Sequence, residues 1–278
     1  MVRWLPSFRP APPPPAAAPS KERASPVNAP QFRIESAART HEGCVRAHNE
    51  DNYSVRDGEG LWAVADGMGG HEGGEWASGR IVDALDGIDT GGGLEAACEA
   101  AAGAIRAANG EILAEARARG KQMGSTAVVL IIQGPSYAVL WVGDSRAYLM
   151  RGGKLTQLSR DHSQVEEMVA RGLMTPEQAV GHPMGHILSR AIGVQAGVEV
   201  DRAGGEIQAG DIFLLCSDGL HGVAGDAEIE THLAREAPDR ALERLVALTL
   251  ERGAPDNVTG IAVWASEPTL ISFAESES

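Results

Sequence analysis

The sequence predicts an α+β fold: mainly antiparallel strands with long helices packed on their faces. Two observations carry that prediction. Short runs rich in β-branched and aromatic residues recur along the 278 residues, several in pairs joined by glycine-containing turns. Between and after those runs lie segments whose apolar residues fall at helical spacing on one face.

The elements follow in order. Residues 1 to 30 are rich in proline and alanine, with Pro12-Pro13-Pro14-Pro15 at their centre, and read as a disordered leader. A single domain is expected from Gln31 to the C-terminus (31–278). Phe32-Arg33-Ile34-Glu35 alternates as a strand does. Asn52 to Arg56, the turn Asp57-Gly58-Glu59-Gly60 and Leu61 to Ala65 read as a hairpin. A helix from Glu75 to Leu85 leaves the glycine-rich turn that follows. A second helix, Leu94 to about Arg117, carries Leu94, Cys98, Ala101, Ile105, Ala108 and Ile112 on one face, a core stripe.

Strands resume over Thr126 to Ile132. A further hairpin joins Ala147–Met150 to Lys154–Thr156 across Arg151-Gly152-Gly153. From about 161 to 193 the pattern breaks into short helical pieces. In this stretch Thr175-Pro176-Glu177-Gln178 has the form of a capping box with proline at the first helical position. So long an interruption between strands points to a lid or a functional loop. A last helix over Asp239 to Arg252 and a closing strand over Val258 to Trp264 complete the domain.

Composition narrows the function. The net charge is −14 and no basic patch stands out, so nucleic acid is not expected as a partner. Cys44, Cys98 and Cys216 are scattered, without a Cys-x-x-Cys pair, which argues against a disulfide framework or a zinc site. No apolar run reaches the length of a membrane span, and prolines interrupt the N-terminus where a signal peptide would lie. A cytoplasmic location is expected.

The chemistry is expected where strands end in aspartate. Leu61-Trp62-Ala63-Val64-Ala65 runs into Asp66-Gly67-Met68-Gly69-Gly70. The pattern returns at Val139 to Asp144 and at Ile212 to Asp218, and Asp256 stands just before the closing strand. In antiparallel sheets the end of one strand lies beside the start of its neighbour, so these four carboxylates can share a rim. Close carboxylates repel, and hard divalent cations with oxygen ligands, Mg²⁺ or Mn²⁺, relieve the conflict. Arg46 offers a planar fork suited to phosphate.

Competing chemistries fail on the residues. The glycine-rich turn lacks the lysine of a P-loop, Glu72 stands where a dinucleotide fingerprint needs glycine, and no cysteine is followed six residues later by arginine.

Seven segments in order carry a resemblance. They are Arg46 to Asn52, Val64 to His71, Met123 to Thr126, Gly143-Asp144-Ser145-Arg146, His182-Pro183 with Ser189 to Gly193, Cys216 to Leu220, and Asp256 to Thr259. Together the chain resembles the bacterial metal-dependent (type-2C, PPM) serine/threonine protein phosphatases. That resemblance implies a β-sandwich of two antiparallel sheets flanked by helices. It implies hydrolysis of phosphoserine and phosphothreonine on proteins by a metal-bridged hydroxide, without a phospho-enzyme. It further implies two Mn²⁺ or Mg²⁺ ions bridged by Asp66, with the Gly67 carbonyl, Asp218 and Asp256 completing the protein ligands. Glu50 and Asp51 would act largely through metal-bound waters, Asp144 would help hold a third, weaker metal, and Arg46 would bind the substrate phosphate. The segment from Asp161 to Gly193 would be the flap beside the cleft. Phosphorylated proteins, and the kinase that makes them, are the implied partners.

Two positions depart from family patterns. Met68 stands where some members carry a histidine proposed as general acid, with His71 close by in sequence. His186 stands in the flap where asparagine is frequent. The alternatives to be set against catalysis are a non-catalytic phosphoprotein-binding pseudophosphatase and a small-molecule phosphatase.

Overall fold

The computed structural model describes residues 32–70, 72–179 and 181–267. The leader and His71 lie outside them. The strands are β1 (Arg33–His41), β2 (Asp51–Arg56), β3 (Leu61–Met68), β4 (Gly124–Ser125), β5 (Ala127–Gln133), β6 (Ser136–Val142), β7 (Arg146–Arg151), β8 (Lys154–Gln157), β9 (Asp201–Glu206), β10 (Ile212–Cys216) and β11 (Val258–Ser266). The α-helices are α1 (Glu72–Asp86), α2 (Leu94–Arg119), α3 (Gln164–Ala170), α4 (Pro176–Ala179), α5 (Asp218–His221), α6 (Asp226–Arg235) and α7 (Pro238–Glu251).

The strands form two antiparallel sheets. One runs β1-β11-β10-β7-β8; the other runs β2-β3-β5-β6-β9, with the short β4 paired to β3. Their faces meet in an inner core that includes Trp62, Val64, Leu130, Val139, Phe213, Leu215, Ile261 and Val263. The outer face of the β3 sheet packs on α1 and α2 through Leu61, Ala63, Ile81, Ile105 and Ile131. The outer face of the β10 sheet packs on α5, α6 and α7 through Leu214, Leu220, Ile229, Leu242 and Leu245. The molecule is thus a four-layer α-β-β-α sandwich, as the resemblance implies.

That layering explains why the central strands are apolar throughout. Along β3, Leu61, Ala63 and Ala65 face the helices while Trp62 and Val64 face the other sheet. A strand buried on both faces loses the hydrophobic/polar alternation of a half-solvated one. Each fully buried aliphatic side chain contributes about 1.5–3 kcal/mol relative to exposure.

The expected hairpins form: β2 pairs β3 with Asp51 opposite Asp66, and β7 pairs β8. The capping box also forms, reciprocally. The Gln178 amide N–H donates to Thr175 Oγ1 (3.3 Å) and the Thr175 N–H donates to Gln178 Oε1 (2.9 Å).

Four elements differ from expectation. The helix expected from Glu75 begins at Glu72, because the chain closes its first turn directly on the glycine-rich corner, where the Gly73 N–H donates to the Gly70 carbonyl. Strand β9, Asp-Arg-Ala-Gly-Gly-Glu, has no sequence signature. It exists because β6 offers it a ladder, and Gly204 and Gly205 fit closely against Tyr137. Helices α5 and α6 were also not foreseen. The first is a single turn springing from the end of β10, and the second buries only Ile229 and Leu233.

Candidate active site

The rim forms where strand ends from both sheets converge. Asp66 sits near the end of β3 and Asp144 just after β6, both in one sheet. Asp218 follows β10 and Asp256 precedes β11, both in the other. Asp66, Asp144, Asp218, Asp256 and Glu50 line one cavity of about 230 Å³, together with Arg46, Gly67, Met68, Thr126, His186 and Asn257. The strand-end pattern placed four carboxylates on a shared rim and the resemblance added Glu50; the structure gathers all five.

The backbone beneath is held tightly. The Asp66 carbonyl accepts from the Thr126 N–H (2.9 Å) and from Ser125 Oγ (2.8 Å), and the Asp66 N–H donates to Thr126 Oγ1 (3.1 Å). The Gly67 N–H donates to the Glu50 carbonyl (3.2 Å). A Cβ at Gly67 would collide with the carbonyl oxygens of Gly74 and Glu50, so the turn admits glycine alone. Gly70 takes φ 77°, the left-handed conformation that lets the chain reverse into α1.

The electrostatics are those of crowded acids. Burial, with the charges of Asp51, Asp218 and Asp144 behind it, pushes the Asp66 carboxyl well above the ordinary range. Burial and then the Asp218 charge push Asp144 up to about 8. Burial and then Asp256 raise Asp218, while a hydrogen bond with the Asp66 carboxyl pulls it the other way. Such a set is unfavourable on its own and is satisfied by cations.

The donor chemistry fits hard divalent ions. Carboxylate and carbonyl oxygens dominate it, no cysteine lines the cavity, and the one imidazole on its wall, His186, comes from the flap. Asp66, Asp218, Asp256, Asp144, Glu50 and the Gly67 carbonyl are the groups that could hold them.

Two expected residues stand differently. Asp51 is buried behind the rim and does not line the cavity: Ser217 Oγ donates to its Oδ2 (2.8 Å), and burial pushes it up to about 7 against that bond and one from Thr259. It braces the turn that presents Asp218. Arg46, expected to face a phosphate, makes a bidentate ion pair with Asp256, Nε to Oδ1 at 2.9 Å and Nη2 to Oδ2 at 2.7 Å. The guanidinium is the cation nearest that carboxylate, and pairing relieves the repulsion among the acids. Its side chain stays 55 % exposed and lines the cavity, and the pair with Asp256 uses only Nε and Nη2.

His186 reaches the cavity mouth from the flap, and Met68 lines the wall beside it. The flap itself is tied at both ends. Ser163 bridges Leu188, and Ser125 bridges Ile192. Buried His162 accepts from the Gly143 N–H at Nδ1 (3.0 Å). Its Nε2–H therefore points to Asp201 Oδ2 (3.1 Å), which Arg190 also grips through Oδ1 (2.7 Å).

Sequence reasoning missed Asn257. It lies inside the resembling segment Asp256 to Thr259 but was given no role there, and it is buried, 4 % exposed. Its Nδ2 donates to the carbonyls of Glu42 (2.8 Å) and His48 (2.9 Å), and its Oδ1 accepts from the Glu50 N–H (2.8 Å). The loop that bears Arg46 and Glu50 is therefore moulded around one amide. The available signal was its place directly after a rim aspartate.

The likeness to known proteins runs the same way. A family profile described as Protein phosphatase 2C matches residues 32–168. Over 228 residues the chain is 41 % identical to the serine/threonine protein phosphatase PstP of Mycobacterium tuberculosis, covering 80 % of this chain and 43 % of that protein. The chain thus spans less than half the length of PstP. It is 37 % identical to the serine/threonine phosphatase stp of Listeria innocua, covering 81 % of this chain and 93 % of that one. Among solved structures, the catalytic domain of PstP in complex with two manganese ions superposes with a TM-score of 0.75 at 36 % identity, covering 85 % of this chain and 100 % of that domain. Sharing the sandwich of a solved phosphatase domain and more than a third of its residues with a relative matched almost end to end, the chain belongs to the protein phosphatase 2C family.

Proposed function

We propose that the chain hydrolyses phosphoserine and phosphothreonine on proteins with the help of Mg²⁺ or Mn²⁺. The observation that carries this is the convergence of five carboxylates from both sheets on one cavity, which Arg46 also lines. Asp66, Asp218, Asp256 and the Gly67 carbonyl would hold two ions, Asp144 would help hold a third, and Glu50 would act through water. Bound there, the ions supply Lewis acidity toward phosphoryl oxygens and make water acidic enough to be deprotonated near neutral pH. Asp51 holds Ser217, and through it the turn bearing Asp218, from behind the rim. Arg46 takes the phosphate oxygens with the N–H groups that Asp256 does not use, and so orients the ester toward the carboxylate rim. No histidine follows Gly67, so no side chain at that position protonates the leaving alkoxide.

The substrates on this reading are phosphoproteins, and the serine/threonine kinase that makes them is a natural partner. No helix among the described residues is long and apolar enough to cross a membrane, and a cytoplasmic site of action agrees with the cysteine pattern. A phosphopeptide assay with Mn²⁺ and with EDTA tests the reading, with sugar phosphates run in parallel. Turnover of the peptide that needs Mn²⁺ supports it. Binding without turnover would point to a pseudophosphatase, and faster turnover of the sugar phosphates to a metabolite enzyme.

A further inference from the structure

A second, larger cavity of about 890 Å³ opens directly from the first: Met68, Gly69, His186 and Leu188 line both. One wall is the last turns of α2 and the chain after it; the other is the returning arm of the flap, from His186 to Gln195. The facing surfaces are mostly apolar, with Leu113 and Met123 opposite Ile187 and Val194. Val194 is 54 % exposed, one of few bulky apolar side chains left open among the described residues.

Two cations, Arg117 and Lys121, also line this groove, and neither forms an ion pair among the described residues. Other arginines on or beside α2 do: Arg119 pairs with Glu115 and Arg80 with Glu111. The end of α2 does not need Arg117 or Lys121 as caps. The Gly120 N–H reaches the Ala116 and Arg117 carbonyls, and the Lys121 N–H reaches that of Ala116. In a chain of net charge −14, two unpaired cations beside an apolar trough, continuous with a rim of acids, are placed for an anionic ligand.

We infer that this groove seats the substrate polypeptide on one side of the phosphorylated residue. An apolar side chain lies against Leu113 and Val194, and an Asp or Glu meets Arg117 and Lys121. The inference rests on the phosphoprotein reading above. It makes Arg117, Lys121 and Val194 specificity-determining residues. An acidic flank is favoured over a basic one, and more so at low ionic strength, because the contacts are exposed.

The test uses the full chain with Mn²⁺ and two phosphothreonine peptides that differ only in their flanks, one acidic and apolar, the other basic. p-Nitrophenyl phosphate, too small to reach the groove, reports the phosphate site separately. The wild type should prefer the acidic peptide in kcat/KM. The double charge reversal R117E/K121E should lower the acidic-to-basic ratio roughly tenfold, mainly through KM. Val194→Asp should raise KM for the acidic peptide too. A ratio unmoved by the double reversal overturns the inference. So does a loss on p-nitrophenyl phosphate equal to that on the acidic peptide, since the residues would then merely support the fold. Turnover of p-nitrophenyl phosphate but of neither peptide sinks the phosphoprotein reading, and the groove falls with it.

Discussion

The rim and the flap meet at the same cavity but are built on opposite plans. The rim stands on strand ends braced from behind: Asp66 by Ser125 and Thr126, the turn bearing Asp218 by Asp51 through Ser217, Glu50 by Asn257. The flap is short helices with little interior; α3 buries Val165 alone and α4 buries nothing. It is secured at its two ends and presents exposed side chains between them. Crowded acids need a scaffold that resists their repulsion, and the hydrogen-bonded strand ends supply one. Selection among substrates needs only a surface, which a loosely packed arm supplies.

The largest way to break this contrast is to remove charge from the rim. Asp66→Asn or Asp218→Asn should drop kcat with Mn²⁺ to near background. Because burial and like charges already strain these acids, the same changes should raise the melting temperature of the metal-free protein. Thermal denaturation beside steady-state kinetics checks both. Activity near wild type at saturating Mn²⁺ would show that the rim is not the reaction centre.

Arg46→Ala tests how phosphate and carboxylate share one guanidinium. Losing a charge-assisted hydrogen bond costs about 1.5–3 kcal/mol, so kcat/KM should fall about tenfold to a hundredfold, mostly through KM. Since Arg46 occupies both oxygens of Asp256, its removal should also tighten Mn²⁺ binding. Titration calorimetry decides this. Weaker Mn²⁺ binding with KM unchanged would make Arg46 a support for the carboxylate alone.

On the flap side the expected effects are smaller. Burial lowers the pKa of His162, against Asp201 and Asp161 and together with Arg190. The folded value thus lies below the unfolded one near 6.5. The stability that goes with neutral His162 is present above about 6.5 and is lost as pH falls through the folded value. Nitrogen chemical shifts of His162 should report an Nε2–H tautomer at pH 7 and a midpoint below 6.5. Asp201→Asn should lower that midpoint further, and a midpoint above 6.5 in the wild type would refute the assignment.

Smallest of all, Thr175→Ala removes an N-cap worth about 1 kcal/mol. Amide exchange should quicken in α4 while the global melting temperature holds. A global loss would mean that the flap folds as one with the sandwich.

How much the sequence disclosed follows the same division. The rim was legible because strands apolar on both faces have no ordinary reason to end in aspartate, and this happens at Asp66, Asp144 and Asp218. The capping box at Thr175 was legible because it is local. What was not legible depends on partners far apart in the chain. Strand β9 exists only against β6. The pairing of Arg46 with Asp256 spans 210 positions, and Asn257 grips a loop more than 200 residues earlier. Asp51 reads like any rim acid until its register opposite Asp66 and its bond to Ser217 turn it inward. The groove between α2 and the flap brings together two segments with no pattern in common.

Asn257 has one more consequence. It belongs to the turn entering β11, in one sheet, yet it clasps the backbone that leads into β2, in the other. It works as a cross-tie between the halves of the sandwich. Were the sheets to slide, Glu50 and Arg46 would be carried along with Asp256 instead of parting from it. The rim is therefore tied across both sheets at this point, whereas the flap helices α3 and α4 have only Val165 to anchor them in an interior.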